Sequence, residues 1–110
     1  MDPEQTAQEV KKALMEAFKA TVEAVPFMAE NVALDKVPVD TGRLKGTIKA
    51  EIEGTSKNPV LVLSADTNYA EYVEFGTSRM KAQPFLRPAI QYVEENAPKL
   101  FQKELKKRGL

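Results

Sequence analysis

The chain has 110 residues, a size for one domain, and its 43% hydrophobic and 29% charged residues suit a soluble protein with a modest core. It has no cysteine, histidine or tryptophan, which excludes disulfide staples, thiolate chemistry, a Ser-His-Asp triad and the usual zinc ligands. The net charge of zero hides a split: residues 1–76 carry 8 Lys/Arg against 13 Asp/Glu, and residues 77–110 carry 8 against 3, so a −5 part precedes a +5 part. Those parts can pair inside one chain, or meet head to tail between copies. A dedicated nucleic-acid binder would carry a net basic excess, which is missing. No apolar run approaches the roughly 20 residues of a membrane span, and Met1-Asp2-Pro3-Glu4 is acidic, unlike a signal peptide. The expectation is a soluble, cytosolic, non-enzymatic single domain over residues 1–110, with no cofactor, no metal and no membrane partner.

Asp2-Pro3-Glu4-Gln5 reads as a helix start, with Asp2 as cap and Pro3 where no N–H is needed. Val10, Leu14, Ala17/Phe18, Thr21, Val25, Met28 and Val32 then recur at steps of three and four, a helical stripe. Pro26 is expected to kink this helix near Val22–Val25, and its end is expected near Leu34. In Val37-Pro38-Val39-Asp40-Thr41-Gly42-Arg43-Leu44, Pro38 forces extended geometry on Val37. Asp40 or Thr41 can cap a short helical turn through Leu44, which Gly46 ends.

Thr47 to Glu53 alternates polar and apolar, a half-buried strand with Ile48, Ala50 and Ile52 inward. Gly54 to Pro59 is turn chemistry, and Val60-Leu61-Val62-Leu63-Ser64 is a more enclosed second strand. The two should pair as an antiparallel hairpin, which is unstable alone and must pack on the helices. Asn68 with Glu71 makes a capping-box arrangement for a short helix that Gly76 can close in the left-handed conformation. Thr77 to Gln83 follows as a loop or extended arm. Pro84-Phe85-Leu86-Arg87-Pro88 opens the last helix, whose stripe is Ile90, Val93, Ala97, Leu100/Phe101 and Leu105. The predicted fold is α+β: a small antiparallel sheet packed against a long N-terminal and a C-terminal helix, with a short helix between.

Few residues offer chemistry. Glu71 and Glu74, three apart on a short helix, could share acid/base work or a hard cation. The competing account has Glu71 capping its own helix and Glu74 pairing with Arg43, Arg79 or Arg87. Tyr69 and Tyr72 could stack bases, although aromatic residues at helical spacing more often pack in a core. The Lys99–Arg108 run could meet phosphate or an acidic partner, or be a solvated helix end favoured by the dipole. Thr41-Gly42 before Arg43 and Lys45 lacks the glycine density of a phosphate-binding loop. Met80, between Arg79 and Lys81, fits a protein contact. None of these sets meets the requirements of an active site.

Three segments in order resemble small tail-component proteins of long-tailed, siphovirus-type bacteriophages and prophages: Val37 to Leu44, Tyr69-Ala70-Glu71-Tyr72-Val73-Glu74-Phe75-Gly76-Thr77, and Gln83-Pro84-Phe85-Leu86-Arg87-Pro88-Ala89. Gly46-Thr47 departs mildly, standing where such proteins often have a polar residue and then Ser. The resemblance implies a structural protein of the virion neck or tail, assembled in the host cytoplasm. It further implies a ring-forming homo-oligomer that completes the tail and joins it to the head. Its partners would be connector and tail-tube or terminator proteins, with genomic DNA passing nearby. On this reading Asp40, Thr41, Gly42, Leu44, Tyr69, Ala70, Glu74, Phe75, Gly76 and Thr77 define the fold. So do Pro84, Phe85, Leu86, Arg87, Pro88 and Ala89, with Phe85-Leu86 anchoring the last helix. Arg79, Met80 and Lys81 would lie at a subunit contact, and the charge split adds Lys103, Lys106 and Lys107. Two alternatives remain open: a tail terminator capping the tube, and a small nucleic-acid-binding module using the basic C-terminal helix.

Overall fold

A computed structural model describes residues 3–38, 42–65 and 70–110. Helix α1 spans Pro3–Lys36 without a break, passing through Pro26 and two residues beyond the predicted end. Its buried positions are Ala17, Thr21, Val25, Ala29 and Ala33, one every four residues, and Val37 continues the row. The predicted stripe of larger side chains is offset from this seam, so that Val10, Leu14 and Phe18 all stay exposed. Small side chains on an i, i+4 ridge let a second helix approach closely, and the bulky ones are displaced to its flanks. The Thr21 hydroxyl, buried in the seam, donates to the Ala17 carbonyl at 2.8 Å, so it leaves no unpaired polar group there.

The second helix of the pair is α4, Leu86–Lys107, which also runs unbroken through its internal Pro98. It lies antiparallel to α1. Ala89 near its start shares one buried cluster with Ala33, whereas Phe101 meets Phe18 edge to face at 6.4 Å and Arg108 reaches Glu16 at 3.5 Å.

Between the two helices come α2 (Gly42–Lys45), β1 (Ile48–Gly54), β2 (Pro59–Ala65) and α3 (Ala70–Phe75). The strands form an antiparallel pair with Ile48 opposite Ala65 and Gly54 opposite Pro59. This is the α+β architecture expected from the sequence. Gly54 has φ of 82°, and a Cβ there would lie 2.4 Å from the Asn58 carbonyl oxygen, so the hairpin turn requires glycine. Thr47 closes α2, its amide and hydroxyl both donating to the Leu44 carbonyl. β1 packs on α1 at its start and diverges from it toward the tip: Ile48 is 7% exposed and Ile52 36%.

The core therefore sits at one end. Leu44 and Phe85 are fully buried there, surrounded by Val37, Ile48, Ala70 and Val73. Burying each large side chain stabilises by roughly 1.5–3 kcal/mol. The molecule measures 67 × 22 × 21 Å with a radius of gyration of 18.2 Å, against about 13 Å for a compact chain of this length. Its accessible surface is 7988 Å², where a compact monomer of this mass exposes about 6,100 Å².

Candidate assembly interface

The sequence motif around Glu74 folds into a tight knot. Glu74 is the fifth residue of α3 and only 5% exposed. Its Oε1 accepts the backbone N–H groups of Phe85 at 3.0 Å and Leu86 at 2.8 Å, and its Oε2 accepts that of Arg87 at 3.1 Å. Those are free donors at the start of α4, where Phe85 itself offers no capping side chain. A carboxylate suits the site twice, as a charged acceptor and as an anion at the positive end of a helix dipole. Arg87 stands beside it, Nε 3.8 Å from Oε2, with its guanidinium 5.3 Å from the centre of the Phe75 ring.

The loop between α3 and α4 is shaped to deliver these donors. Gly76 takes φ of 77°, and a Cβ there would sit 2.7 Å from the Ala82 nitrogen and 2.9 Å from the Met80 carbonyl. Its N–H donates to Tyr72 O at 2.7 Å. Thr77 and Met80 exchange backbone hydrogen bonds, and the Thr77 hydroxyl accepts from the amides of Arg79 and Met80. The Gln83 N–H ties back to Val73 O at 2.8 Å. The segment is thus a loop pinned at both ends, and the extended-arm alternative falls away. Arg79, Met80 and Lys81 are exposed on it.

Of the other motif positions, Leu44, Ala70 and Ala89 are buried, Pro84, Leu86 and Pro88 are half-buried, Phe75 and Thr77 are exposed, and Gly42 opens α2. Asp40, Thr41 and Tyr69 lie outside the described residues, as do Asp2 and Asn68 with the caps expected of them. Lys103, Lys106 and Lys107 are exposed near the far end of α4, about 25–30 Å from its start at 1.5 Å per residue. The two sets of expected contact residues are therefore not brought together. Arg108 is not part of a simple solvated run, because it binds Glu104 at 2.7 Å and reaches Glu16 on α1. Hydrogen bonds from Arg108 and Lys107 hold the Glu104 carboxyl below its usual range, and the same Glu104 contact raises Arg108. The i, i+4 spacing of Glu104 and Arg108 was a readable signal.

At that far end, α1 and the tip of the hairpin splay apart to leave an open cleft of about 1320 Å³. Its apolar lining comes from Met15, Phe18 and Val22 of α1 and Ile52 and Pro59 of the hairpin. Lys12, Lys19, Glu23 and Glu53 are among its charged residues. Sequence reasoning missed this feature, since it depends on how far two elements diverge. As for chemistry, Glu71 is exposed whereas Glu74 is buried with its oxygens occupied, so the two carboxylates do not converge. Among the described residues no group of three or more acidic side chains could hold a metal ion, and no helix is long and apolar enough to cross a membrane.

A family model described as "Bacteriophage HK97-gp10, putative tail-component" matches residues 4–76, which is 73 of the 110 residues. The match takes in α1 through α3 and ends at Gly76, short of the segment that Glu74 caps. No curated protein and no solved structure matches the chain significantly. With two thirds of its length matched, this chain belongs to the HK97-gp10-like family of bacteriophage tail components.

Proposed function

We propose that this chain is a non-enzymatic structural subunit of the phage neck, which completes the tail and joins it to the head as one member of a ring. The observation that carries the reading is the unfinished surface. A chain of this mass exposes about 1,900 Å² more than a compact monomer. Among the described residues twelve large apolar side chains are exposed, Met15, Phe27, Val60, Tyr72 and Phe75 each by more than half. Met15, Phe18 and Ile52 of this set line one cleft, and contiguous exposed apolar surface marks interaction sites, which fits a part that is stable among neighbours. The partners on this reading are copies of itself, a connector protein below the head, and tail-tube or terminator proteins.

The basic end of α4 supports a nucleic-acid role less well. Lys107 lies 3.1 Å from Glu104, and Arg108 is held by Glu104 and Glu16, so part of that charge is answered within the chain. Passive proximity to DNA in the channel asks less of it.

Deleting the gene from its phage tests the reading. The expected phenotype is filled heads and complete-looking tails that accumulate separately, restored by the gene in trans. Tails of irregular length would instead assign the terminator role. Infectious, fully joined particles from the deletion would overturn the proposal.

A further inference from the structure

We propose that the cleft between α1 and the hairpin tip seats the α3 end of a second copy, with Tyr72 and Phe75 of one subunit entering between Met15 and Ile52 of the next. This deepens the ring reading above and rests on it. The cleft, at about 1320 Å³, exceeds the roughly 300–1,000 Å³ of small-molecule pockets, so it has room for a polypeptide segment. Its lining combines Met15, Phe18, Val22, Ile52 and Pro59 with four lysines and three glutamates.

Surface area favours a second copy as the occupant. A standard interface takes about 800 Å² from each partner, so a ring subunit with two neighbours hides about 1,600 Å². That is close to the roughly 1,900 Å² by which this chain exceeds a compact monomer. The cleft belongs to the α1 N-terminal half, and α3 belongs to the core at the opposite end of the 67 Å axis. Two different patches at opposite ends give a heterologous contact, the kind that closes into rings.

Tyr72 and Phe75 are 52% and 66% exposed, three apart on α3. Aromatic anchors of this sort dominate interface energetics when a pocket takes them. They are also held ready: Gly76 locks the end of α3, and Arg87 lies over Phe75. Lys11, Lys12, Lys19 and Lys57 accompany Glu16, Glu23 and Glu53 in the lining, so the contact rests on its apolar anchors and not on the cations of the nearby loop.

The natural chain has no cysteine, which makes a cross-linking test clean. Met15→Cys and Phe75→Cys, both at well-exposed positions, are placed together and singly in phage particles and treated with a short bis-maleimide. The double variant is expected to give a ladder of dimers and higher multimers, and the single variants to give at least tenfold less. Particles that contain the double variant but give no ladder would overturn this contact and leave the neck reading standing. Particles of the unaltered phage that lack the protein altogether would overturn the neck reading, and a second measurement then judges the contact alone. In it, Phe75→Asp and Met15→Asp proteins are mixed in solution, each expected to be monomeric by itself. One intact α3 and one intact cleft remain between them, so a heterodimer is expected. Absence of that heterodimer would overturn the contact.

Discussion

At the α3 end a single carboxylate answers three backbone donors, two large side chains are fully enclosed, and a pinned loop holds the arrangement in register. At the other end the same two long helices close over Ala17 and Thr21, with an aromatic pair and an ion-pair cluster beside them, while Met15 and Val60 face solvent. The contrast separates two jobs within 110 residues. One end satisfies its buried polar and apolar groups and carries the fold, with Tyr72 and Phe75 left on its outer surface. The other leaves apolar surface unmatched, which costs stability in isolation and gains it only when something covers the surface.

The sharpest way to break this contrast is at Glu74. Glu74→Ala strands three N–H groups, one of them buried and two partly buried, and is expected to destabilise by about 3 kcal/mol. Glu74→Gln keeps one acceptor oxygen and should lose about half as much, so the pair of denaturation midpoints separates lost hydrogen bonds from lost packing. Gly76→Ala comes next, at about 2 kcal/mol, because φ of 77° and a Cβ 2.7 Å from the Ala82 nitrogen are both adverse. Urea denaturation checks it, and an unchanged midpoint would mean that the loop relaxes without cost.

Ala33→Leu probes the helix seam near the core. Ala33 is fully buried and has no room for three extra carbons, so a loss of about 1–2 kcal/mol is expected. The opposite end should respond differently. Met15→Ser and Val60→Thr, at positions 62% and 53% exposed, are expected to change stability by within about 0.5 kcal/mol. Thermal unfolding of the isolated chain tests this, and a large loss at either site would erase the distinction between the two ends.

The smallest expected effect is in acid. Glu104 is depressed in the folded state by Arg108 and Lys107. Its contribution is therefore present above the ordinary carboxylate range and is lost as pH falls through the lower folded value. Amide exchange in the last turn of α4 should quicken at that point, and Glu104→Gln should show no such step.

How much of this was legible varies with the range of the interaction. The hairpin could be read because its signals are local: alternation in β1 and turn residues at 54–59 act over a few residues. Gly76 was legible for the same reason, as a glycine placed just after a short amphipathic segment. The seam of α1 was only half legible. Two offset rows share Ala17, Thr21 and Val25, and hydrophobicity favours the bulkier one, with Leu14, Met28 and Val32. Which row is buried depends on how closely α4 approaches, a quantity with no signature in α1 alone. Nor could the cap of α4 be read, since its acceptor lies 11 to 13 residues upstream, on another helix.

The sequence by itself determined the element order, the α+β class, the turn glycines and, through its motifs, the family, all of which rest on local chemistry and on residue identity. Tertiary structure alone decided that Glu74 faces inward to the start of α4, that small residues line the helix seam, and that the hairpin tip stands off α1. Each of these depends on the relative placement of segments distant in the chain. Loop closure and packing set that placement together, and no single window of the sequence contains it.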